Sequence, residues 1–164
     1  MKKFISLLLT VLMAFTALVD TALLHKPALV LIPGDLTKDS EVASHDVVVE
    51  QLSRLQSAGI NTLVIPGNHD IGGKAFAYRG GESVPVESLS DSEWESKYAM
   101  VYEQALAKDP NSHSYVAEPL RGVTVLGIDA SPNTIDELLS TEVILVPGFV
   151  KKNNPVIWNK LKQA

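Results

Sequence analysis

The sequence contains no cysteine. This absence excludes disulfide bonds, thiolate zinc sites, cysteine nucleophiles and lipid attachment through a cysteine. The sequence also lacks a cluster of Lys and Arg, and its net charge is −5. We therefore do not expect it to bind nucleic acid through a basic face. Small anions remain compatible with this charge, because a bound divalent cation can dominate the local field.

The N-terminus carries the longest apolar run of the chain. Lys2 and Lys3 precede residues 4–19, a pattern typical of a secretory signal. The run is shorter than the ~20 residues that a membrane-spanning helix usually needs. Ala22 could be the last signal residue, but Asp20 then stands where a small residue is preferred. We predict a signal peptide or N-terminal hydrophobic anchor over residues 1–22, with a buried core helix as the alternative, followed by one domain over residues 23–164.

A strand, a helix and a second strand follow this segment. Residues 28–32 form a continuous apolar run, which predicts a strand buried on both faces of a parallel sheet. Residues 41–58 have apolar side chains at helical spacing, with Ser40 as the predicted N-cap. Residues 60–65 predict the second strand. The sequence therefore predicts a βαβ unit with the usual right-handed crossover.

The second half of the chain gives weaker signals. The stretch 72–91 is rich in Gly, Ser and Pro, and we predict a long surface loop. A helix is expected from residue 91 or 92 to about 108, with Trp94, Tyr98 and Tyr102 on one core-facing side. The remaining expectations are two strands, a weak helix and a short apolar run, at residues 114–117, 123–128, 134–140 and 143–146.

Polar residues follow both strands of the βαβ unit. The first strand ends in Gly34 and Asp35, and the second in the tetrad Gly67-Asn68-His69-Asp70. The carboxyl ends of parallel strands meet at one edge of a sheet, where ligands of open α/β sheets bind. Because adjacent strands lie about 4.8 Å apart, Asp35 and Asn68 could reach one cation or a close pair of cations.

These two motifs, on a βαβ unit at this spacing, resemble the calcineurin-like metallophosphoesterases. The longer stretch 26–37 is similar to their bacterial exported branch, and the resemblance extends to about residue 129. It implies an α/β fold, a sheet-based sandwich flanked by helices. It also implies hydrolysis of small phosphoester substrates with a dinuclear centre of divalent metal ions such as Mn, Fe or Zn. The branch implies export to the periplasm, the cell envelope or the exterior of a bacterium.

The resemblance also implies a role for each matching residue. Asp35 would bridge two cations through its carboxylate, and Asn68 would give a neutral oxygen to one of them. His69 would protonate the leaving oxygen or stabilise charge on it, since the pKa of imidazole lies near neutral pH. Asp70 could orient His69 as a carboxylate behind an imidazole.

Other parts of the family pattern are absent from the sequence. Nothing matches the family's Asp-x-His motif before Gly34, and no histidine follows His113 to supply its Gly-His-x-His motif. The fold is therefore expected to be incomplete at both ends, with exposed sheet edges and low stability or association. The alternatives to an active hydrolase are a non-catalytic truncated remnant and an exported metal- or anion-binding domain.

The remaining candidates receive structural interpretations. His45 lies inside the first predicted helix, where a structural role or exposure is expected. His113 stands between serines and is predicted to be a solvated loop residue. Asp129 ends a predicted strand and is interpreted as a turn residue that could also line the crevice at the strand ends.

Overall fold

The computed structural model describes residues 2–129 of the chain, and for residues 2–13 it describes the course of the backbone alone. The expected helix 134–140 and apolar run 143–146 lie outside the described residues. The helices are α1 (Lys2–His25), α2 (Val42–Ser57), α3 (Trp94–Lys97) and α4 (Ala99–Tyr102), with a 3₁₀ turn at Asp91–Glu93. The strands are β1 (Leu29–Ile32), β2 (Asn61–Val64), β3 (Phe76–Arg79), β4 (Glu82–Pro85), β5 (Ala105–Lys108), β6 (Tyr115–Leu120) and β7 (Val123–Gly127).

The predicted βαβ unit is confirmed. Strands β1 and β2 pair in parallel, with Leu29 opposite Asn61 and Ile32 opposite Val64. Helix α2 connects them, and its buried side chains include Val48, Leu52 and Leu55 on one face. The two continuous apolar runs form neighbouring parallel strands, as predicted. The prediction that the first is buried on both faces was wrong among the described residues, because Leu31 in the middle of β1 is 56% exposed. Both strands end at the same edge of this two-stranded sheet.

The start of α2 differs from the prediction. Glu41, rather than Ser40, is the N-cap residue, and no side chain caps this helix end. Ser40 has a left-handed backbone with φ +64°, and its hydroxyl donates to the Leu89 carbonyl at 3.0 Å. The prediction of Ser40 as the cap was wrong, because a hydrogen bond to a distant segment competes with the local one.

The stretch 72–91 is more ordered than a surface loop. It contains the antiparallel hairpin β3–β4, with Phe76 opposite Pro85 and Arg79 opposite Glu82. Gly80 and Gly81 form its turn, and both have positive φ. The loop prediction was wrong over the hairpin, because these glycines, counted as loop signals, also match the two-residue turn that joins antiparallel strands.

The predicted helix 91–108 is shorter and ends in a strand. It consists of the 3₁₀ turn and two short helices up to Tyr102, after which β5 pairs with β6. The helical prediction was wrong for residues 105–108, because strand pairing within the sheet β5-β6-β7 overrides local helix preference there. The strands predicted at residues 114–117 and 123–128 are confirmed as β6 and β7.

The core contains the aromatic face that the sequence predicted. Trp94 and Tyr98 are fully buried and Tyr102 nearly so. The indole nitrogen of Trp94 donates to the Tyr102 hydroxyl at 2.8 Å, which in turn donates to the His113 carbonyl. The ring of Tyr115 packs against Tyr102, and its hydroxyl donates to the Val64 carbonyl of β2 at 2.9 Å. Each buried polar tip thus has a partner, which keeps the cost of its burial low.

Helix α1 continues through residues 20–25, past the end of the apolar run. Its Val19 side chain is 3% exposed and belongs to the core cluster, whereas the neighbouring Leu18 is 67% exposed. Asp20 pairs with Arg54 of α2 at 2.6 Å. Among the residues that the structure describes, no helix combines the length and apolarity needed to cross a membrane.

Candidate functional site

The two polar turns meet in backbone contact at one edge of the β1–β2 pair. A Cβ atom on Gly34 would lie 2.5 Å from the Gly67 nitrogen, and one on Gly67 would lie 2.2 Å from the Asp35 Oδ1 atom. Only glycine fits at either position, and Gly34 also has φ +97°. The Asp35 carboxylate therefore lies directly against Gly67, the residue before Asn68. Both Asp35 and Asn68 are exposed.

The Asp70 carboxylate links the turn after β1 to the turn after β2. Its Oδ1 atom accepts hydrogen bonds from the Thr37 backbone nitrogen at 2.8 Å and from the Thr37 hydroxyl at 3.0 Å. Its Oδ2 atom accepts from the Gly67 backbone nitrogen at 2.9 Å. The Asp70 side chain is fully buried. A buried carboxylate with three donors holds the turn after β1 and the turn after β2 in one arrangement.

The partners of Asp70 differ from those that the resemblance implied. The described hydrogen bonds join its carboxylate to Thr37 and Gly67, whereas the ring of His69 bonds to the Lys38 carbonyl at 2.7 Å. The implied role of Asp70 in orienting His69 is thus taken by a backbone carbonyl. Because a carbonyl can only accept, Nδ1 of His69 carries the hydrogen. The exposed ring then presents Nε2 as its second nitrogen.

A buried histidine supports the second turn. His45 is fully buried on α2, and its Nε2 lies 2.9 Å from the Asp70 carbonyl. Its Nδ1 lies 2.7 Å from the Tyr98 hydroxyl, and the rings of Trp94 and Tyr98 pack against it edge-on. Burial lowers the pKa of His45, although the Asp70 carbonyl acts in the opposite direction. The structural role expected for His45 is confirmed, and its partner is the site turn itself.

His113 is buried rather than solvated, so that prediction was wrong. Its Nε2 lies 2.9 Å from Asp91 Oδ1, and its Nδ1 lies 3.9 Å from Glu95 Oε1. The ring packs edge-on against Tyr102. Asp129 is also buried, and its Oδ2 accepts from the His113 backbone nitrogen at 3.3 Å. The serines around His113 suggested a loop exposed to water, but the His113 side chain packs against the aromatic core.

The donor set at the edge suits a hard cation. Asp35 offers a carboxylate oxygen and Asn68 an amide oxygen, the ligand types that Mg²⁺ and Mn²⁺ prefer. Within residues 2–129, no group of three or more His, Cys, Asp or Glu side chains is placed to hold a metal ion. Two oxygen donors would leave a bound cation with several waters, a mode common for Mg²⁺. Among the residues that the structure describes, these two donors alone do not make up a dinuclear centre.

Two supporting residues were missed as parts of the site. Thr37 was considered only as the last residue of the stretch 26–37. Its hydroxyl, two positions after Asp35, is well placed to bond a neighbouring turn. His45 carried a clearer signal. It precedes Val48, Leu52 and Leu55 at helical spacing, and all four side chains are buried. That periodicity places His45 on the core face, where a buried imidazole needs a partner.

Comparison with known proteins adds one finding. The family model described as calcineurin-like phosphoesterase matches residues 11–162, which is most of the chain. The match begins inside α1 and includes both polar turns. The mixed helices and small sheets agree with a partial α/β fold of that kind. A search of the curated proteins found no match.

Proposed function

This chain belongs to the calcineurin-like phosphoesterase family, a family of metal-dependent phosphoester hydrolases, and from that premise we propose that it hydrolyses phosphoesters with a divalent cation. The reaction would take place at the edge formed by Asp35 and the Gly67–Asp70 turn. Its substrate would be a small phosphoester. The basic start and apolar run of the N-terminus support a further part of the proposal, export of the protein from a bacterial cytoplasm.

The contact between Asp35 and Gly67 carries the proposal. Two exposed oxygen donors, on Asp35 and Asn68, stand at the ends of neighbouring parallel strands, and a buried carboxylate fixes the turns that bear them. Polar groups fixed in this way need little rearrangement when a ligand binds, so less of the binding free energy is lost to ordering. Turns that only terminate strands do not require a buried carboxylate to fix them, so the rigidity points to a ligand.

Asp35 and Asn68 would hold the cation, with water filling the other positions. When bound, such a cation lowers the pKa of a water molecule and offsets charge on the phosphoryl oxygens. His69 is the chain's own proton carrier at this edge. The Lys38 carbonyl holds its Nδ1–H, so the protonated ring offers Nε2–H to the leaving oxygen of the ester.

A second candidate function is cation binding without turnover. It is favoured by the small number of ligands, since the described residues contain no cluster of three acidic or histidine side chains around a common point. A site with two protein ligands binds a cation weakly and leaves the phosphoryl group with less charge stabilisation. This candidate predicts that cation binding depends on Asp35. It also predicts no hydrolysis in the wild-type chain, so that substitution of His69 has no rate to change.

The experiment measures hydrolysis of an aryl phosphate by the purified full chain with Mn²⁺. We expect Asp35→Ala and His69→Ala each to lower the rate at least about 100-fold, because each removes a group with a separate role. Asp20→Ala and His25→Ala are matched controls, since both residues are exposed and stand where the chain enters β1 and β2, at the other end of these strands. Both controls should keep the wild-type rate within about twofold.

Titration calorimetry with Mn²⁺ separates the two candidate functions. Heat of binding lost in Asp35→Ala, without turnover in the wild-type chain, would establish the binder instead of the hydrolase. Equal rates in the wild-type chain and in Asp35→Ala would rule out catalysis at this edge. A chain that neither binds Mn²⁺ nor turns over the ester would be a remnant of the family.

A further inference from the structure

We propose that His45 is a positioning residue for the Gly67–Asp70 turn, held in one tautomer by the Asp70 carbonyl and complemented by the Tyr98 hydroxyl. The proposal rests on the proposed function for its significance, because the turn bears Asn68 and His69. It does not rest on that function for its test. The chain of contacts runs from the aromatic core through His45 to the backbone of the site.

The first step is the direction of each hydrogen bond. The Asp70 carbonyl can only accept, so Nε2 of His45 carries the hydrogen of that 2.9 Å bond. In the neutral ring, Nδ1 is then an acceptor, and the Tyr98 hydroxyl donates to it at 2.7 Å. Burial raises the pKa of Tyr98 far above its ordinary value, so the hydroxyl keeps its proton. All partners are therefore satisfied in a single tautomer.

The second step is what this bond holds in place. The Asp70 carbonyl belongs to the same residue whose carboxylate accepts from Thr37 and Gly67. Fixing the backbone at Asp70 thus fixes the direction of its side chain. The buried imidazole of His45 thus holds the main chain of Asp70. The Asp70 carboxylate in turn holds the turn after β1 and the turn after β2.

The third step is why a histidine stands at this position. Besides His45, the buried side chains of α2 are Val48, Gln51, Leu52 and Leu55, of which three are apolar. An apolar residue in place of His45 would fill the space but leave the Asp70 carbonyl and the Tyr98 hydroxyl without this partner. The contribution of His45 is thus to fix one arrangement of the turn rather than to add apolar packing.

The test compares amide hydrogen exchange in the full chain, measured by NMR. The readout is the ratio of the exchange rates of the Thr37 and Gly67 amides, which donate to Asp70, to those of amides in β6. We expect His45→Leu to raise this ratio about tenfold, as loss of one buried hydrogen bond implies. His45→Gln, whose side-chain nitrogen can occupy the place of Nε2, should bring the ratio back to within about twofold of the wild type.

Leu52→Ala is the matched control, because Leu52 is a fully buried residue on the same face of α2. It should destabilise the whole domain and leave the ratio unchanged. Long-range ¹H–¹⁵N spectra of the wild-type chain should show hydrogen on Nε2 of His45. Equal ratios in His45→Leu and Leu52→Ala, no rescue by glutamine, or hydrogen on Nδ1 would overturn the proposal. Because neither metal nor substrate is present, these outcomes are independent of any phosphoesterase activity.

Discussion

Asp70 and His45 show how single buried polar groups determine the geometry of exposed ones. The exposed groups Asp35, Asn68 and His69 make few contacts of their own beyond the turns that carry them. Their positions follow from the carboxylate of Asp70, which has three donors, and from the imidazole beneath it. Substitution of either buried group is therefore expected to affect the site without touching a ligand.

The pH dependence of stability provides a test at the scale of one residue. Burial lowers the folded-state pKa of His45 below its ordinary 6.5, while Asp70 and Glu41 raise it and Lys97 lowers it by weaker charge interactions. The unfolded chain then binds more protons than the folded one as pH falls below 6.5. The stabilisation is complete above that pH and is lost towards the lower, folded-state pKa, with a slope of up to about 1.4 kcal/mol per pH unit.

Urea unfolding between pH 7.5 and 5 checks this prediction by comparing the wild-type chain with His45→Gln. Other titrating groups are common to both proteins, so the difference between the two curves isolates His45. We expect the wild-type chain to lose more stability than the variant below pH 6.5. Parallel curves over this range would contradict a lowered folded-state pKa at His45.

At the scale of elements, the strongest local patterns were the ones that predicted correctly. Two continuous apolar runs gave β1 and β2, and the spacing of Val48, Leu52 and Leu55 gave α2. The patterns of α2 and β2 report burial of their own segments, whereas the apolar run of β1 predicted the strand although Leu31 in it is exposed. The hairpin β3–β4 was missed because its turn glycines were counted as loop signals, and strand β5 because pairing with β6 overrides a local helical pattern.

In the candidate site, too, some features could be predicted from local patterns and others could not. The positions of Asp35 and Asn68 at one edge could be predicted from the chain direction of two parallel strands. The contacts of Asp70 with Thr37 and of His45 with Asp70 and Tyr98 could not, since they join residues 25 to 53 positions apart through the interior. Pairing across such distances depends on how α2 and α3 pack, which no local pattern specifies.

Helix α1 yields a prediction that bears on the role of the N-terminal segment. Val19 is 3% exposed within the core cluster, while Leu18 on the same helix is 67% exposed. If α1 is part of the folded domain, Val19→Ala should lower the free energy of unfolding by about 1–2 kcal/mol through lost burial and a small cavity. Leu18→Ala should change it by less than about 0.5 kcal/mol.

Both substitutions remove apolar atoms from the same helix, so an effect on export or on helix formation would be shared. Urea denaturation of the full-length chain gives the two values. Similar small values for both variants would mean that α1 contributes nothing to the fold, as expected for a signal peptide. Mass spectrometry of the exported protein would then locate the cleavage site near Ala22.

At the scale of the whole molecule, the described strands expose large apolar side chains, among them Leu31 of β1, Leu106 of β5 and Leu126 of β7. Strand β1 has β2 as its one neighbour among the described strands, and Leu31 in its middle is 56% exposed. A groove of about 530 Å³ runs between α1 and β1, lined by Phe15, Leu18, Leu31 and Leu36, and reaches Asp35. An apolar strand beside such a groove is a template for pairing with another chain.

Self-association should therefore depend on Leu31. We expect the average mass of the wild-type chain in sedimentation experiments to rise with concentration, because association covers the β1 edge. Leu31→Lys should suppress this rise, since a charge on an edge strand resists pairing. Leu24→Lys adds the same charge at an exposed position on α1, where the side chain is 77% exposed, and should leave the association unchanged.

A wild-type chain that stays monomeric at high concentration and melts in one sharp transition would show that the β1 edge is already covered. If both lysine variants suppress association equally, net charge and not the strand edge controls it.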